Sequence, residues 1–209
     1  MGLTNDFCND IQCILRKRHI KKMLGILNEQ QSGGWEKWFQ LELVRYYHDL
    51  EHEPHWECGF EKSLQHNPEK LINRLDLVYR KKNTNNNYYN GVEIKVQRFP
   101  QYSIKGILTD LTGVSHIKSS NWELRAVTGL SIYATDIIES VSDNSRYKSF
   151  VRRLISSKRA KVLKCNGWSC LILGWEANNI STPSTMKKEY QEYIRSIGEI
   201  ASKYDIKMK

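Results

Sequence analysis

The sequence predicts an α/β or α+β sandwich, a central mixed β-sheet flanked by helices on both faces. Three observations support this. Segments of strand period alternate with segments of helical period, which favours a layered sheet over a bundle or an all-β fold. The 209-residue chain is long enough to close one hydrophobic core. A hydrophobic content of 40% with 26% charged residues suits a packed globular domain and excludes wholesale disorder. No internal repeat or linker divides the chain, so it reads as a single domain over 1–209, with 1–32 as an N-terminal helical extension.

Over 6–28, Phe7, Ile11, Ile14, Leu15, Met23, Leu24 and Leu27 recur as one side of an amphipathic helix with a basic centre at Arg16-Lys17-Arg18-His19 and Lys21-Lys22. Ser32-Gly33-Gly34 ends it, an aromatic-rich helix follows over 35–50, and Pro54 forces an extended segment through 56–60. Two strands come next, Arg74-Leu75-Asp76-Leu77-Val78-Tyr79 and Gly91-Val92-Glu93-Ile94-Lys95-Val96. The polar run over 81–87 between them reads as a hairpin tip. Ile104, Ile107, Leu108, Leu111 and Val114 mark a helix over 103–118 that Gly106 and Gly113 weaken. A strand over 126–133, a basic helix over 145–164, an apolar strand over 168–175 and a helix over 184–203 complete the order.

The net charge of +9, from 32 Lys+Arg against 23 Asp+Glu, favours a polyanionic partner, either nucleic acid or an anionic surface, although some soluble proteins are merely basic. No stretch reaches the roughly 18 apolar residues of a membrane span. Five cysteines with no C-x-x-C pair and no finger spacing read as reduced, packed thiols. With no secretory leader in the N-terminal residues, the expected location is the cytoplasm, although a toxin domain cut from a longer secreted chain would look the same.

The chemistry concentrates on the two central strands. Side chains two apart share a strand face, so Glu93 and Lys95 point one way and Val92, Ile94 and Val96 the other. If the strands pair, Asp76 joins them. Two hard oxygen ligands then stand beside a lysine, a set suited to Mg²⁺ and to phosphodiester hydrolysis. The plain alternative is a Glu/Lys alternation on a half-exposed strand, with Asp76 paired to Arg74 or Lys95. Glu42 lies among Trp38, Phe39 and Tyr46 on its helix. It either serves a cation or pairs with Arg45 or Lys37, while Glu36 suits a first-turn charge.

In these residues the chain resembles the PD-(D/E)XK nuclease superfamily, the restriction-endonuclease-like fold. The resemblance covers about 33–118 and, more loosely, the later strands. A helical Glu, a strand Asp and an acid-x-Lys on the next strand occur in the family's order as Glu42, Asp76 and Glu93-Ile94-Lys95. The chain departs from the pattern at Leu75, where the motif carries proline.

The resemblance implies a Mg²⁺-dependent nuclease, with Mn²⁺ as a substitute. Asp76, Glu93 and the Ile94 carbonyl would hold the metal, Glu42 would stand at its rim, and Lys95 would act on the attacking water and the phosphate. Gln97, on the same strand face, either reaches the water or phosphate or is a plain strand-end polar residue. Double-stranded DNA is the expected substrate, by family analogy, in a restriction or phage-defence role. The alternatives are a nuclease toxin domain acting on DNA or tRNA, and a non-catalytic nucleic-acid-binding module. Cutting a duplex would suit a homodimer.

Arg146, Lys148, Arg152, Arg153, Lys158 and Arg159, followed by Lys161 and Lys164, crowd a short stretch that can neutralise phosphates or simply form a solvated face. The 16–22 run is a second such stretch. Asn83 to Asn87 could probe a groove or form an ordinary turn. His48, His52, His55, His66 and Cys58 raise a zinc site, but their spacing matches no usual finger.

Overall fold

A computed structural model describes residues 3–29, 35–50, 56–64, 73–81, 89–116, 124–135, 145–177 and 183–208. The elements run α1 (Leu3–Arg16), α2 (Arg18–Glu29), α3 (Trp35–Asp49), β1 (Trp56–Leu64), β2 (Asn73–Lys81), β3 (Tyr89–Val96), α4 (Pro100–Ser115), β4 (Leu124–Ala134), α5 (Ser145–Ser156), β5 (Ala160–Cys165), β6 (Trp168–Glu176) and α6 (Pro183–Ser202). The strands form one six-stranded sheet in the order β1-β2-β3-β4-β6-β5. Only the β3–β4 pair is parallel, bridged by α4, and all other neighbours are antiparallel, so the sheet is mixed as expected.

Two apolar layers cover the two faces. Val92, Ile94 and Val96 of β3 pack with Leu77, Leu130, Ile132 and Ile172 beneath α1, α2 and α3. The opposite face carries Leu75, Val127, Leu171 and Leu173 beneath Ile104, Ile107 and Leu108 of α4, Phe150 and Leu154 of α5, and Ile194 and Ile197 of α6. Each fully buried aliphatic or aromatic side chain contributes about 1.5–3 kcal/mol to holding its layer shut.

Three expectations change. The single helix over 6–28 is two helices, because the apolar stripe slips phase between Leu15 and Ile20 and one straight helix could not bury both ends. These helices are not an extension. Phe7, Ile11, Ile14, Ile20, Leu24 and Leu27 belong to the core, and the Trp168 indole donates to the Leu24 carbonyl at 2.9 Å. The basic helix over 145–164 stops at Ser156, and its second half is the edge strand β5. Lys158 turns the chain at φ 57°, and Asn166-Gly167, at φ 49° and 79°, form the two-residue turn between Cys165 and Trp168. Of the hairpin tip expected over 81–87, residues 82–87 lie outside the described residues, as do His52, His55, His66 and the side chains of Cys58 and Arg74. Cys8, Cys13, Cys165 and Cys170 are free thiols, as the cysteine pattern implied.

Candidate active site

The β2–β3 ladder runs from Tyr79↔Asn90 to Leu77↔Val92 and stops there, whereas β3 stays paired with β4 along its whole length. Where the two strands part, the Ile94 N–H donates to Asp76 Oδ2 at 2.7 Å instead of to a backbone carbonyl. In a strand, the N–H and C=O of one residue face the same edge, so the Ile94 carbonyl is turned toward the side that Asp76 occupies.

Glu93 is directed away from the Val92/Ile94/Val96 layer and is buried, with 7% of its surface exposed. Burial drives its carboxyl well above the ordinary range, and the neighbouring charges of Asp76 and Asp110 push the same way against the pull of Lys95. The Asp76 carboxyl is also raised, by burial first, although the Ile94 N–H and Lys95 favour its charged form. The carboxyls of Asp76 and Glu93 are neighbours, and each perturbs the other's titration.

Lys95 leaves the same strand face and lies along α4. Gly106 makes room for its stem: a Cβ there would fall 3.2 Å from Lys95 Cδ, closer than ordinary carbon contacts. The ammonium ends 2.8 Å from Asp110 Oδ2 and 3.3 Å from Glu36 Oε2. Although burial works against it, these partners raise the Lys95 pKa, so the side chain is a fixed cation. The Glu36 carboxyl is itself raised by burial, with Asp76 and Asp110 adding repulsion. Four carboxyls therefore crowd one lysine, leaving three negative charges without a cation if all are ionised.

Asp76, Glu93 and Lys95 thus come together as the strand pattern implied. Glu42 does not join them, because its carboxylate meets His19 Nε2 of α2 at 3.0 Å. The helical acid of the group is Glu36, six residues earlier, whose position in the first turn of α3 suits a charge at the helix N-terminus but whose carboxylate reaches Lys95. Asp110 was missed. Its signal was available: it is the single acid of α4, and it stands four residues after Gly106 on the same helix face.

The basic stretch divides between α5, a turn and the edge strand β5. Arg152 and Arg153 are exposed on α5, Lys161 and Lys164 blunt the open edge of β5, and β4 and β6 separate that edge from β3. Arg146 faces Asp205 at 3.6 Å, and Lys148 is only partly exposed. Arg159 Nε donates to Ser196 Oγ at 2.7 Å, and with Lys158 it lines an open depression of about 430 Å³ that also contains Trp175, Glu176 and Glu192.

Oxygen donors fit a hard divalent cation, which binds through one or two carboxylates and keeps the rest of its shell for water and phosphate. Asp76, Glu93 and the Ile94 carbonyl offer that set. Among the described residues, no group of three or more His, Cys, Asp or Glu side chains is placed to hold a metal ion. No helix among them is long and apolar enough to cross a membrane. No protein-family model, curated protein or solved structure matches the chain.

Proposed function

We propose that the chain is a Mg²⁺-dependent endonuclease that hydrolyses phosphodiester bonds of DNA, with a restriction-endonuclease-like core. One observation carries the reading: four carboxyls gathered round a single lysine where two strands part. Burying like charges together is costly unless they are protonated or a cation shares the site. The order of a helical acid (Glu36), a strand acid (Asp76) and Glu93-Ile94-Lys95 on the neighbouring strand also supports it.

In this reading Asp76, Glu93 and the Ile94 carbonyl hold the metal, with Mn²⁺ as a substitute. Bound there, the ion supplies Lewis-acid polarisation of a phosphoryl oxygen and offsets the carboxylate charge. Lys95 stabilises the charge that develops on the phosphate and orients the attacking water. Asp110 and Glu36 act through Lys95 by fixing its ammonium. Glu93 must release its proton before it can serve as a ligand, so activity rises with pH from the acid side.

The test is incubation with plasmid DNA, single-stranded DNA and RNA, in Mg²⁺ or in EDTA, beside Lys95→Ala. Cleavage of DNA that requires both the metal and Lys95 is the expected result, and cleavage that persists in EDTA or in Lys95→Ala rejects the proposal. One observation favours a second reading, a non-catalytic binding module of the same fold: the Lys95 ammonium is already satisfied by two carboxylates. Salt-sensitive binding with no cleavage under any metal would establish that reading instead.

A further inference from the structure

We propose that Phe99 and Tyr102 form a stacking platform for unpaired bases, so that the strand is presented to the site single-stranded or locally opened. This rests on the nuclease reading and narrows its expected double-stranded substrate. Among the described residues, Leu41, Phe99, Tyr102 and Ile155 are the large hydrophobic side chains left exposed, and the two rings are neighbours. Phe99 is 43% and Tyr102 63% exposed. Their centroids lie 6.1 Å apart at 88°, an edge-to-face pair.

Phe99 stands at the N-cap of α4 and makes no side-chain capping bond, where helix stability alone would favour Ser, Thr, Asp or Asn. Local rules broken without a structural gain tend to mark function. The Arg98 guanidinium lies 6.0 Å from the Phe99 ring centroid, and Lys105 is exposed one turn beyond Tyr102. Rings with cations at hand are the combination that single-stranded nucleic acid recruits: bases stack on the rings and phosphates meet the cations.

The location suits such a role. Ser103 Oγ donates to the Lys95 carbonyl at 3.2 Å and lies within 3.1 Å of the Ile132 carbonyl, which ties the first turn of α4 to the end of β3 just past the parted strands. Phe99 follows Lys95 by four residues, a Cα separation of at most about 14 Å. Tyr102 precedes Asp110 by eight, about 12 Å along the helix. At about 3.4 Å per stacked nucleotide, that is a few nucleotides from the lysine. A duplex cannot use the platform, because its base faces are buried in its own stack and only edges and phosphates are offered.

The test is equilibrium binding, in EDTA so that nothing is cut, of a fluorescein-labelled oligodeoxynucleotide as single strand and as blunt duplex, with the matching single-stranded oligoribonucleotide. The proteins are wild type, the double variant Phe99→Ala/Tyr102→Ala and the double variant Phe99→Leu/Tyr102→Leu. The platform predicts tighter binding of single strands than of duplex. It also predicts a loss of about 30-fold or more for single strands in the alanine pair, from the known contribution of base–aromatic stacking, with duplex binding unchanged. The leucine pair should lose as much, because it keeps apolar bulk without a π-face. Weaker binding of either the DNA or the RNA single strand supports the platform and identifies the sugar it takes.

Unchanged single-strand binding in the alanine pair, equal losses on single strand and duplex, or restoration by leucine overturns it. So does a wild-type dimer in sedimentation that becomes monomeric in the alanine pair, since the rings would then be a self-association surface. The assay needs neither metal nor cleavage, so a failed platform leaves the nuclease proposal standing. A wild type that binds single strands but cuts nothing removes the nuclease proposal and leaves the platform.

Discussion

Gly106→Ala should separate stability from activity. In a helix interior, alanine is favoured over glycine by roughly 0.5–1 kcal/mol. The added methyl would sit 3.2 Å from Lys95 Cδ and 3.4 Å from its Cγ and Cε, against ordinary carbon contacts of about 3.5–4.0 Å. A lysine stem can retreat by those few tenths of an ångström at little cost, so most of the helix gain survives. The expected change in stability lies between zero and about +1 kcal/mol, a rise in Tm of at most ~4 °C for a chain of this size. The retreat, however, moves the ammonium from its place 2.8 Å from Asp110.

Misplacing a reacting group by about 1 Å can cost on the order of 100-fold in rate, so a shift of a few tenths predicts a loss of several-fold to about tenfold. Gly106→Leu, which needs a larger displacement, should lose correspondingly more. Urea unfolding followed by tryptophan fluorescence, beside initial cleavage rates in saturating Mg²⁺, reads both quantities. A full cleavage rate in Gly106→Leu would contradict this, since the stem of the working lysine could not then pack against Gly106 of α4.

Asp110→Asn should lower the titration of the Glu93 carboxyl, because a like charge is removed, and should slow cleavage by roughly tenfold by leaving the Lys95 ammonium to Glu36 alone. Carboxyl-carbon NMR across pH checks the first effect, and an unmoved Glu93 resonance would count against the cluster. Asp10, raised from 3.8 to about 6 chiefly by burial despite hydrogen bonds from Tyr47 and Tyr46, binds its proton more tightly folded than unfolded. Stability from this group is therefore lost as pH rises from about 4 to about 6 and is level above, and Asp10→Asn should flatten that slope in urea midpoints measured across pH.

The strand half of the site was legible because β3 alternates cleanly. Glu93 and Lys95 are set between Val92, Ile94 and Val96, and a two-residue period leaves one choice of face. The helical half was not. Trp35, Trp38, Phe39, Tyr46 and Tyr47 give α3 bulky residues on every side, so periodicity could not say which glutamate faced the strands. Packing settles it: Phe39, Leu43 and Tyr47 meet the sheet, Glu36 reaches Lys95, and Glu42 falls on the flank that meets α2.

Asp110 required knowing that a lysine from another element lies in the gap above Gly106, which no local pattern encodes. The basic helix over 145–164 was misread because Lys and Arg fit exposed helices and edge strands equally well. The clue that outweighed their charge was Asn166-Gly167, a dipeptide suited to two consecutive positive φ angles and so to a hairpin. Once the stretch divides into α5, a turn and β5, its charges no longer share one helix.

The most direct measurement is Mn²⁺ binding followed by electron paramagnetic resonance, with Mg²⁺ in competition, on wild type, Asp76→Asn and Glu93→Gln. The expected result is Mn²⁺ displaceable by Mg²⁺ in the wild type, with affinity rising with pH as Glu93 gives up its proton, and loss of that binding in both variants. Binding that is absent from the wild type, or that survives both substitutions at full strength, would contradict it.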